Sequence, residues 1–368
     1  MREGALASLF QSTEHISEDV SIEEKRPTPR KTAAPAQEQA YLAAIKVVGV
    51  GGGGTNAVNR MVAAGANGVE FIAINTDAQS LEVCDVDVKM HVGGELTCGL
   101  GGGADPSVGV AAMERSRDEI KKVLRGADLV FVTAGEGGGT GTGAAPVIAA
   151  AAREAGALAI GIVTRPFSFE GTKRNIQAEE GIRQLREAAD TVIVVPNDRL
   201  LQVVDPGTSL VDAFAIADDV LRQGVQSICD LINRPGLINL DFADVRTIMS
   251  GAGSALMGIG QASGENRAVE AARQAIGSPL LETSIEGARG ILLNVKGGGD
   301  CALHEANEAA QVVAGAAAPD ANIIFGTVID DILGDMIQVT VIATGFNRAP
   351  GTQRRPAKNL DVPGFLNG

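Results

Sequence analysis

Residues 134–143 have the sequence AGEGGGTGTG, and this glycine-rich stretch decides the fold. It lies between a strand predicted at 128–133 and a helix predicted at about 144–154. Glycines at such a junction let the backbone approach phosphate oxygens, and the helix N-terminus adds oriented N–H donors and a positive dipole. Thr140 and Thr142 add hydroxyl groups. The stretch therefore predicts a phosphate-binding loop and is poorly explained as a flexible linker.

A second glycine run, GVGGGGTN at residues 49–56, follows a strand predicted at 45–50 and opens a helix predicted at 56–64. Its glycines fit the pattern GxGxxG, and Asp77 follows the next predicted strand; together these form the fingerprint of a dinucleotide-binding site. An oxidoreductase of that class needs no second phosphate loop on a neighbouring strand. The two loops therefore favour a mononucleotide with several phosphates. No Walker A motif occurs, since the dipeptide Gly-Lys is absent.

A third run, GLGGGADP at residues 99–106, precedes a helix predicted at 105–124. Taken alone, it is equally consistent with a structural turn and with a loop that closes over a terminal phosphate. Further strands are predicted at 69–74, 158–163 and 191–195, and a charged helix at 172–188. This alternation predicts a doubly wound, Rossmann-like parallel sheet with its ligand at the carboxyl ends of the strands.

The second half of the chain has a different character. A helical pattern at 209–232 predicts a long central helix, roughly 36 Å at 1.5 Å per residue. Beyond it, strands at 290–295, 322–328 and 337–342 and a helix near 302–314 predict a smaller mixed α/β domain. The predicted organisation is a disordered extension (1–44), a nucleotide-binding domain (45–208), the central helix (209–232), a C-terminal α/β domain (233–345), a linker (346–359) and a terminal peptide (360–368).

Composition excludes several classes of protein. The formal net charge of −14 argues against general nucleic-acid binding, which needs clustered Lys and Arg. The four cysteines lie far apart without metal-ligand spacing, so no protein-built metal site is predicted. No apolar run approaches the ~20 residues of a membrane span, and the N-terminus lacks a signal-peptide pattern. We therefore expect a cytoplasmic protein without direct membrane insertion.

Two motifs carry a family resemblance. Residues 137–143, GGGTGTG, resemble the signature of the tubulin and FtsZ superfamily, and residues 239–244, NLDFAD, resemble the NxDxxD synergy loop of bacterial FtsZ. The similarity spans about 45–345, and the apolar tail resembles the FtsZ C-terminal peptide, although an incidental tail is an equal alternative for that segment alone.

The resemblance implies a GTPase that assembles head to tail into protofilaments, which form the division ring at mid-cell. It implies phosphate contacts from three loops and nucleoside contacts from Glu170, Arg174 and Asn197. Asp219 is implied to bind guanine, because a carboxylate accepts from its N1–H and 2-amino donors. Phe214 either stacks on the base or belongs to the core. The phosphate-binding set comprises Gly52, Gly53, Gly54, Thr55, Asn56, Gly101, Gly102, Gly103, Ala104, Gly139, Thr140, Gly141, Thr142 and Gly143.

The synergy loop supplies the implied catalytic residues Asn239, Asp241 and Asp244. For an arbitrary sequence, Asp241 is better explained as a helix N-cap. In the FtsZ family, these side chains come from the next subunit and position the attacking water, with Mg²⁺ bound mainly through the phosphates. Other implied partners are tethering and regulatory division proteins at the C-terminal peptide. The linker is short for this family, which limits the reach of that peptide.

Two alternatives stay open from the residues themselves. One is an NAD-dependent oxidoreductase that uses the fingerprint at Gly49. Against it, the three histidines (His15, His91 and His304) are scattered. The other is a nucleotide-binding structural protein with little turnover.

Overall fold

The structure is a computed structural model that describes residues 43–66, 68–202, 204–205, 207–234, 238 and 240–346. In that part of the chain the strands are β1 (Ile45–Val50), β2 (Val69–Asn75), β3 (Val88–His91), β4 (Leu129–Gly135), β5 (Leu158–Arg165), β6 (Thr191–Pro196), β7 (Gly253–Ser263), β8 (Gly290–Gly297), β9 (Asn322–Ile329) and β10 (Met336–Thr344). The α-helices are α1 (Gly51–Ala63), α2 (Ala78–Glu82), α3 (Gly94–Thr97), α4 (Pro106–Arg115), α5 (Arg117–Leu124), α6 (Thr140–Glu154), α7 (Thr172–Ala188), α8 (Asn197–Leu200), α9 (Leu210–Asn233), α10 (Phe242–Met249), α11 (Arg267–Ile276) and α12 (Leu303–Ala316). The predicted N-terminal extension up to residue 42, the terminal peptide, and the linker beyond Phe346 lie outside the described residues.

The strands form one sheet in the order β3-β2-β1-β4-β5-β6-β7-β10-β8-β9. The pairs from β3 to β7 are all parallel, whereas β10 runs antiparallel to both β7 and β8. β8 and β9 are again parallel. The predicted fold class, a Rossmann-like parallel sheet followed by a smaller mixed α/β part, is confirmed.

Both faces of the parallel sheet are covered, and the strand sequences show why. Neighbouring residues of one strand enter different cores: Val47 and Phe131 lie in one apolar cluster, and Val48 and Val132 lie in the other. All four side chains are fully buried. Strands buried on both faces require continuous apolar runs, which is the pattern that the sequence has at β1 and β4.

The long helix α9 begins at a side-chain cap. The Ser209 hydroxyl accepts a hydrogen bond from the Asp212 N–H at 3.1 Å, which satisfies one of the free donors of the first turn. A buried stripe then runs down the helix at helical spacing, at Ala213, Ala217, Val220, Leu221, Gly224, Val225 and Ile228. At Gly224 the helix packs closely on Met257 of β7. α9 therefore contacts both halves of the sheet, as its predicted length allowed.

Three helix predictions need correction. The helix predicted at 105–124 is two helices, α4 and α5, because the backbone leaves helical geometry at Ser116. The helices predicted to begin at Asn56 and Ala144 begin earlier, at Gly51 and Thr140. In both, the glycine-rich residues form the first helical turn instead of a loop before it. Gly51 makes the sharp entry from β1 possible, because its φ of 66° lies in the left-handed region that glycine adopts without a Cβ penalty.

Candidate nucleotide-binding site

The order of the strands fixes where a ligand crevice opens. β2 and β3 are added on one side of β1, and β4, β5 and β6 are added on the other side. The strand order therefore reverses between β1 and β4. In open α/β sheets, ligands bind outside the carboxyl ends of the strands at this reversal. The two glycine-rich turns, β1 to α1 and β4 to α6, both lie at that position.

The three glycine runs lie against one another. A Cβ on Gly51 would come within 2.8 Å of the Gly141 nitrogen, and a Cβ on Gly54 would collide with the Thr133 carbonyl oxygen. The third run joins them, since a Cβ on Gly102 would lie 3.1 Å from the Thr140 hydroxyl. Side chains at these positions would separate the loops. The structure therefore brings all three predicted phosphate-binding segments together at one edge of the sheet.

Two helix N-termini open into this crevice. Among the described residues, neither α1 nor α6 has a side-chain cap, and the first turn of each contains no acidic residue. By contrast, α4 and α9 are capped by Asp105 and Ser209. The free N–H groups and the positive dipoles of α1 and α6 form a site for anions. Gly52 and Gly53 are exposed there, so the backbone is accessible to a ligand.

Among the buried polar atoms near the site that lack a hydrogen-bond partner within the described chain, two belong to neutral side chains at the ends of β4 and β6. They are Oγ1 of Thr133, in β4, and Oδ1 of Asn197, which directly follows β6. Buried polar atoms are almost always paired, and an unpaired one needs an explanation. Donors of a bound ligand would satisfy them, and Asn197 is one of the residues implied to contact the nucleoside.

An aromatic group lines the crevice beyond β5. Phe167 is fully buried, stacks on Phe169 with centroids 4.9 Å apart, and meets the ring of Phe214 edge-on at 5.4 Å. Phe214 is 39% exposed, so it is not a core residue and keeps surface available for stacking. Glu170 accepts from the Phe167 N–H at 2.9 Å and pairs with Arg174 at 2.7 Å. These contacts place Glu170, Arg174 and Phe214 beside one another.

Asp219 lies further along α9, half-buried. Its two oxygens accept from Arg222 Nε and Gln223 Nε2, each at 2.6 Å. Partial burial acts to raise the pKa of Asp219, but these hydrogen bonds outweigh it and hold the pKa below the usual value. The side chain is thus an ionised carboxylate with lone pairs left for further donors.

The implied catalytic carboxylates lie elsewhere. Asp241 is the N-cap of α10 and accepts from the Ala243 N–H at 3.2 Å, and both Asp241 and Asp244 are exposed. Arg246 on α10 donates to the carbonyl of Gly156, just before β5, and Thr191 at the start of β6 bonds to Met249 at the end of α10. α10 therefore lies at the amino-terminal edge of the parallel sheet. Asn239 lies outside the described residues.

The two edges are well separated. β5 has 8 residues, which at ~3.3 Å per residue span about 26 Å from the α10 edge to the glycine-loop edge. One copy of the chain cannot bring Asp241 or Asp244 to its own phosphate-binding loops.

Two residues at the site were missed by the sequence analysis. Thr76 is fully buried after β2, and its hydroxyl lies 2.6 Å from that of Thr140, which ties β2 to the signature loop. Glu136, directly before the signature at 137–143, is 2% exposed, and burial raises its pKa to about 8. The fingerprint residue Asp77 is engaged as the N-cap of α2, where it accepts from the Gln79 N–H at 3.0 Å.

Among the described residues, no group of three or more His, Cys, Asp or Glu side chains is arranged to hold a metal ion. Likewise, none of the described helices combines the length and the hydrophobicity that crossing a bilayer would require.

These features define a nucleotide-binding α/β protein with a polyphosphate cradle at the strand reversal. Residues 44–205 match the model of the tubulin/FtsZ family GTPase domain, and residues 253–347 match that of the FtsZ family C-terminal domain. A structure of an empty FtsZ dimer from M. jannaschii is 43% identical, with a TM-score of 0.81, and the match covers 84% of this chain and 90% of that one. A point mutant of M. jannaschii FtsZ is 44% identical, with a TM-score of 0.80 and coverage of 83% and 91%.

A GTPγS-bound protofilament of CetZ2 from Haloferax volcanii shares the fold, with a TM-score of 0.72, 21% identity and coverage of 83% and 94%. The chain belongs to the FtsZ family and is a GTPase. Family membership decides against the oxidoreductase that the fingerprint at Gly49 left open.

Proposed function

We propose that this GTPase assembles head to tail into protofilaments and hydrolyses GTP at the junction between subunits. The observation that carries the proposal is the separation of its two half-sites. The glycine loops lie at the carboxyl edge of the parallel sheet, and Asp241 and Asp244 lie at the amino edge. A heterologous contact that joins one edge to the other completes a site at every junction and repeats along a filament.

In the nucleotide half of the site, different residues contact the phosphates, the base and the rest of the nucleoside. The N–H groups at the starts of α1 and α6 hold the phosphates, and the loop from Gly101 to Ala104 covers them. Gln177 fixes that loop by donating to the Ala104 carbonyl at 3.0 Å. Asp219 accepts from the guanine donors, while Phe214 offers a ring for the base. Glu170, Arg174 and Asn197 contact the nucleoside.

Mg²⁺ is held mainly by the phosphates in this proposal, because the described residues provide no cluster of three acidic ligands. When bound, it offsets the negative charge that develops during phosphoryl transfer. The hydroxyl of Thr55 already donates to the Gly51 carbonyl at 2.9 Å. This bond holds the first turn of α1, whose N–H groups face the phosphates in this proposal.

In the catalytic half, the two carboxylates have different roles. Asp241 uses Oδ1 to cap α10, so this oxygen orients the helix, and its other oxygen is left for solvent. Asp244, exposed in the first turn of α10, is positioned to orient a water toward the γ-phosphate held by the neighbouring subunit. Phosphoryl transfer depends mainly on such positioning and on electrostatics. Asn239 completes the set.

The relatives support self-association by their descriptions, one a dimer of FtsZ and the other a protofilament of CetZ2. We extend the proposal to a division ring at the septum, formed in the cytoplasm at mid-cell and tethered through residues 360–368 by membrane-bound and regulatory division proteins. The division of the chain at residues 208, 232 and 345 stays a prediction, because one sheet runs through both halves.

Assembly is tested by the dependence of GTP turnover on protein concentration. Turnover per subunit should rise steeply above a threshold concentration, at which light scattering appears with GTP and not with GDP. A turnover per subunit that is independent of concentration would contradict hydrolysis at a junction.

The role of Asp244 is tested by Asp244→Ala, with Asp118→Ala as the matched control. Asp118 also lies exposed in the first turn of an 8-residue helix, but on α5. We expect Asp244→Ala to bind GTP and form filaments while its turnover falls by about 100-fold or more, as is typical when a water-positioning group is removed. Asp118→Ala should keep normal turnover. Unchanged turnover in Asp244→Ala would remove this residue from the mechanism.

A further inference from the structure

A compact group of charges lies where α9 ends and the chain turns toward α10. It consists of Asp230, Arg234, Lys296 and Asp330, which we call the anchor cluster. The Asp230 and Asp330 side chains are 8% and 13% exposed. Asp230 lies in the last turn of α9, where the negative end of the helix dipole disfavours a carboxylate. Two such carboxylates need cations close by.

Lys296 supplies the first of these cations. It lies at the end of β8, is 15% exposed, and places Nζ 2.6 Å from Asp330 and 3.6 Å from Asp230. It therefore joins the end of α9 to the residue that follows β9. Burial raises the pKa of Asp230, and the charges of Lys296 and Arg234 oppose that rise.

Arg234 supplies the second cation and begins the segment that leads to α10. Its Nε lies 3.0 Å from Asp230, and its Nη1 lies 3.8 Å from Asp330. The segment is attached again further along. The Ile238 N–H donates to the Thr327 hydroxyl at 3.0 Å, and the Thr327 N–H donates to the Ile238 carbonyl at 3.3 Å.

The last attachment lies next to the N-cap of α10. Leu240 packs over Gly326 of β9, where a Cβ would come within 3.3 Å of Leu240 Cδ1. Of the described residues before Asp241, Ile238 and Leu240 thus contact β9, and Arg234 contacts Asp330 directly after β9 as part of the anchor cluster. Without Lys296, the end of α9 loses its link to Asp330, and the two buried carboxylates share Arg234 alone. Both changes would move Arg234 at the start of the segment.

We propose that Lys296 is a positioning residue for GTP hydrolysis, which fixes the segment before α10 and thereby sets the reach of Asp241 and Asp244 into the neighbouring subunit's site. The inference rests on the proposed function of these carboxylates. Lys296 lies away from the phosphate loops, because it pairs with Asp230 in the last turn of α9, and Asn233 in that turn donates to the Gly68 carbonyl just before the start of β2. Its loss lowers turnover and leaves GTP affinity intact.

The test compares Lys296→Met and Lys296→Arg with Lys46→Met. Lys46 is a matched control: it lies in a strand, is 13% exposed and pairs with Glu70 at 2.9 Å. Its ammonium also donates to the Val123 carbonyl, so the bonds described for it go to residues far from α10 in the structure. Turnover is measured per subunit in sedimented polymer at saturating GTP. GTP affinity is measured by equilibrium binding below the assembly threshold.

We expect Lys296→Met to lose about 10- to 100-fold in turnover, the usual cost of a misplacement of about 1 Å made far from the chemistry. Its GTP affinity should stay unchanged, Lys296→Arg should recover most of the turnover, and Lys46→Met should keep it. Should Lys296→Met fold poorly, the double variant with Asp330→Asn restores the charge balance. That variant should still turn over slowly, because the link between α9 and β9 is missing.

Normal turnover in Lys296→Met or in the double variant would overturn the inference, as would an equal loss in Lys46→Met. Asp244→Asn is measured in parallel to separate this failure from that of the proposed function. If Asp244→Asn loses turnover and Lys296→Met does not, only the role of Lys296 fails. If Asp244→Asn keeps normal turnover, the catalytic role of the carboxylates fails, and the inference fails with it.

Discussion

Glu136 makes the stability of this protein depend on pH in a way that one substitution should remove. Glu136 directly precedes the signature at 137–143, and α7 packs over its carboxyl so closely that a Cβ on Gly181 would come within 2.5 Å of Glu136 Oε2. A hydrogen bond with the Thr142 side chain opposes the effect of burial on the pKa of Glu136 but does not offset it. Burial raises the pKa of Glu136 from 4.5 to about 8. The folded protein therefore holds this carboxyl in its neutral form at pH 7.

The pKa difference converts directly into a free energy of unfolding. The unfolded chain releases the proton near pH 4.5 and the folded chain near pH 8, so stability falls as pH rises between these values and levels off above them. Each pH unit in this window costs about 1.4 kcal/mol. A protein with net charge near zero tends to precipitate, and the isoelectric point here is about 4.8, so the range of pH for the measurement begins near pH 6. Between pH 6 and pH 8, Glu136 should remove on the order of 2–3 kcal/mol of stability.

The assay is urea denaturation of wild type and Glu136→Gln at pH 6, 7, 8 and 9. Glutamine has nearly the same shape and does not ionise. We expect the stability of Glu136→Gln relative to wild type to rise by on the order of 2–3 kcal/mol from pH 6 to pH 8 and then to stay constant. Glu119→Gln, at an exposed position of α5, is the control and should show no such trend. A difference between Glu136→Gln and wild type that is the same at pH 6 and pH 8 would refute the argument.

Two further predictions concern the nucleotide half of the site. Asp219→Asn should weaken GTP binding by about 1–3 kcal/mol and improve binding of xanthosine triphosphate, because the amide N–H₂ donates where xanthine presents an oxygen. Equilibrium binding of both nucleotides checks this prediction. An unchanged preference between the two nucleotides would exclude Asp219 from base recognition. Gly54→Ala should lower the melting temperature strongly, since the new Cβ collides with the Thr133 carbonyl. A Cβ on Gly52 has no atom within 4 Å, so Gly52→Ala should melt like wild type. Equal melting temperatures of the two variants would contradict the packing of the loops.

The sequence was most informative where backbone chemistry restricts residue choice. The glycine runs beside β1 and β4 indicated phosphate loops, and the structure shows why glycine is needed: a Cβ on Gly51 or Gly54 would meet the neighbouring loop or strand. No strand is predicted at 253–263, where the structure has β7, and glycine is again the reason. Gly258 and Gly260 lack strand propensity, yet both lie in β7, because the backbone of α11 packs directly on them. In a single sequence, a glycine that lets a helix pack closely on a strand cannot be distinguished from a glycine that forms a turn.

The relation between distant parts of the chain could not be predicted locally. Asp241 and Asp244 could be assigned to catalysis only through the family resemblance. Their location opposite the glycine loops follows from the parallel sheet and from the contacts of α10 with Gly156 and Thr191. The burial of Glu136 could not be predicted from the sequence for a similar reason. Its burial depends on the packing of α7 at Gly181, 45 positions away, and no local pattern reports that contact.

The central claim is that each active site is shared between two subunits, and a mixing experiment tests it most directly. Asp244→Ala lacks the catalytic half, while Gly52→Asp places a negative charge in the phosphate cradle at a position with open space and so lacks the nucleotide half. Each variant alone should be inactive. An equal mixture should recover about a quarter of wild-type turnover, because random head-to-tail pairing places Asp244 of one variant against GTP on the other at that fraction of junctions. A mixture as inactive as its components would contradict a shared site.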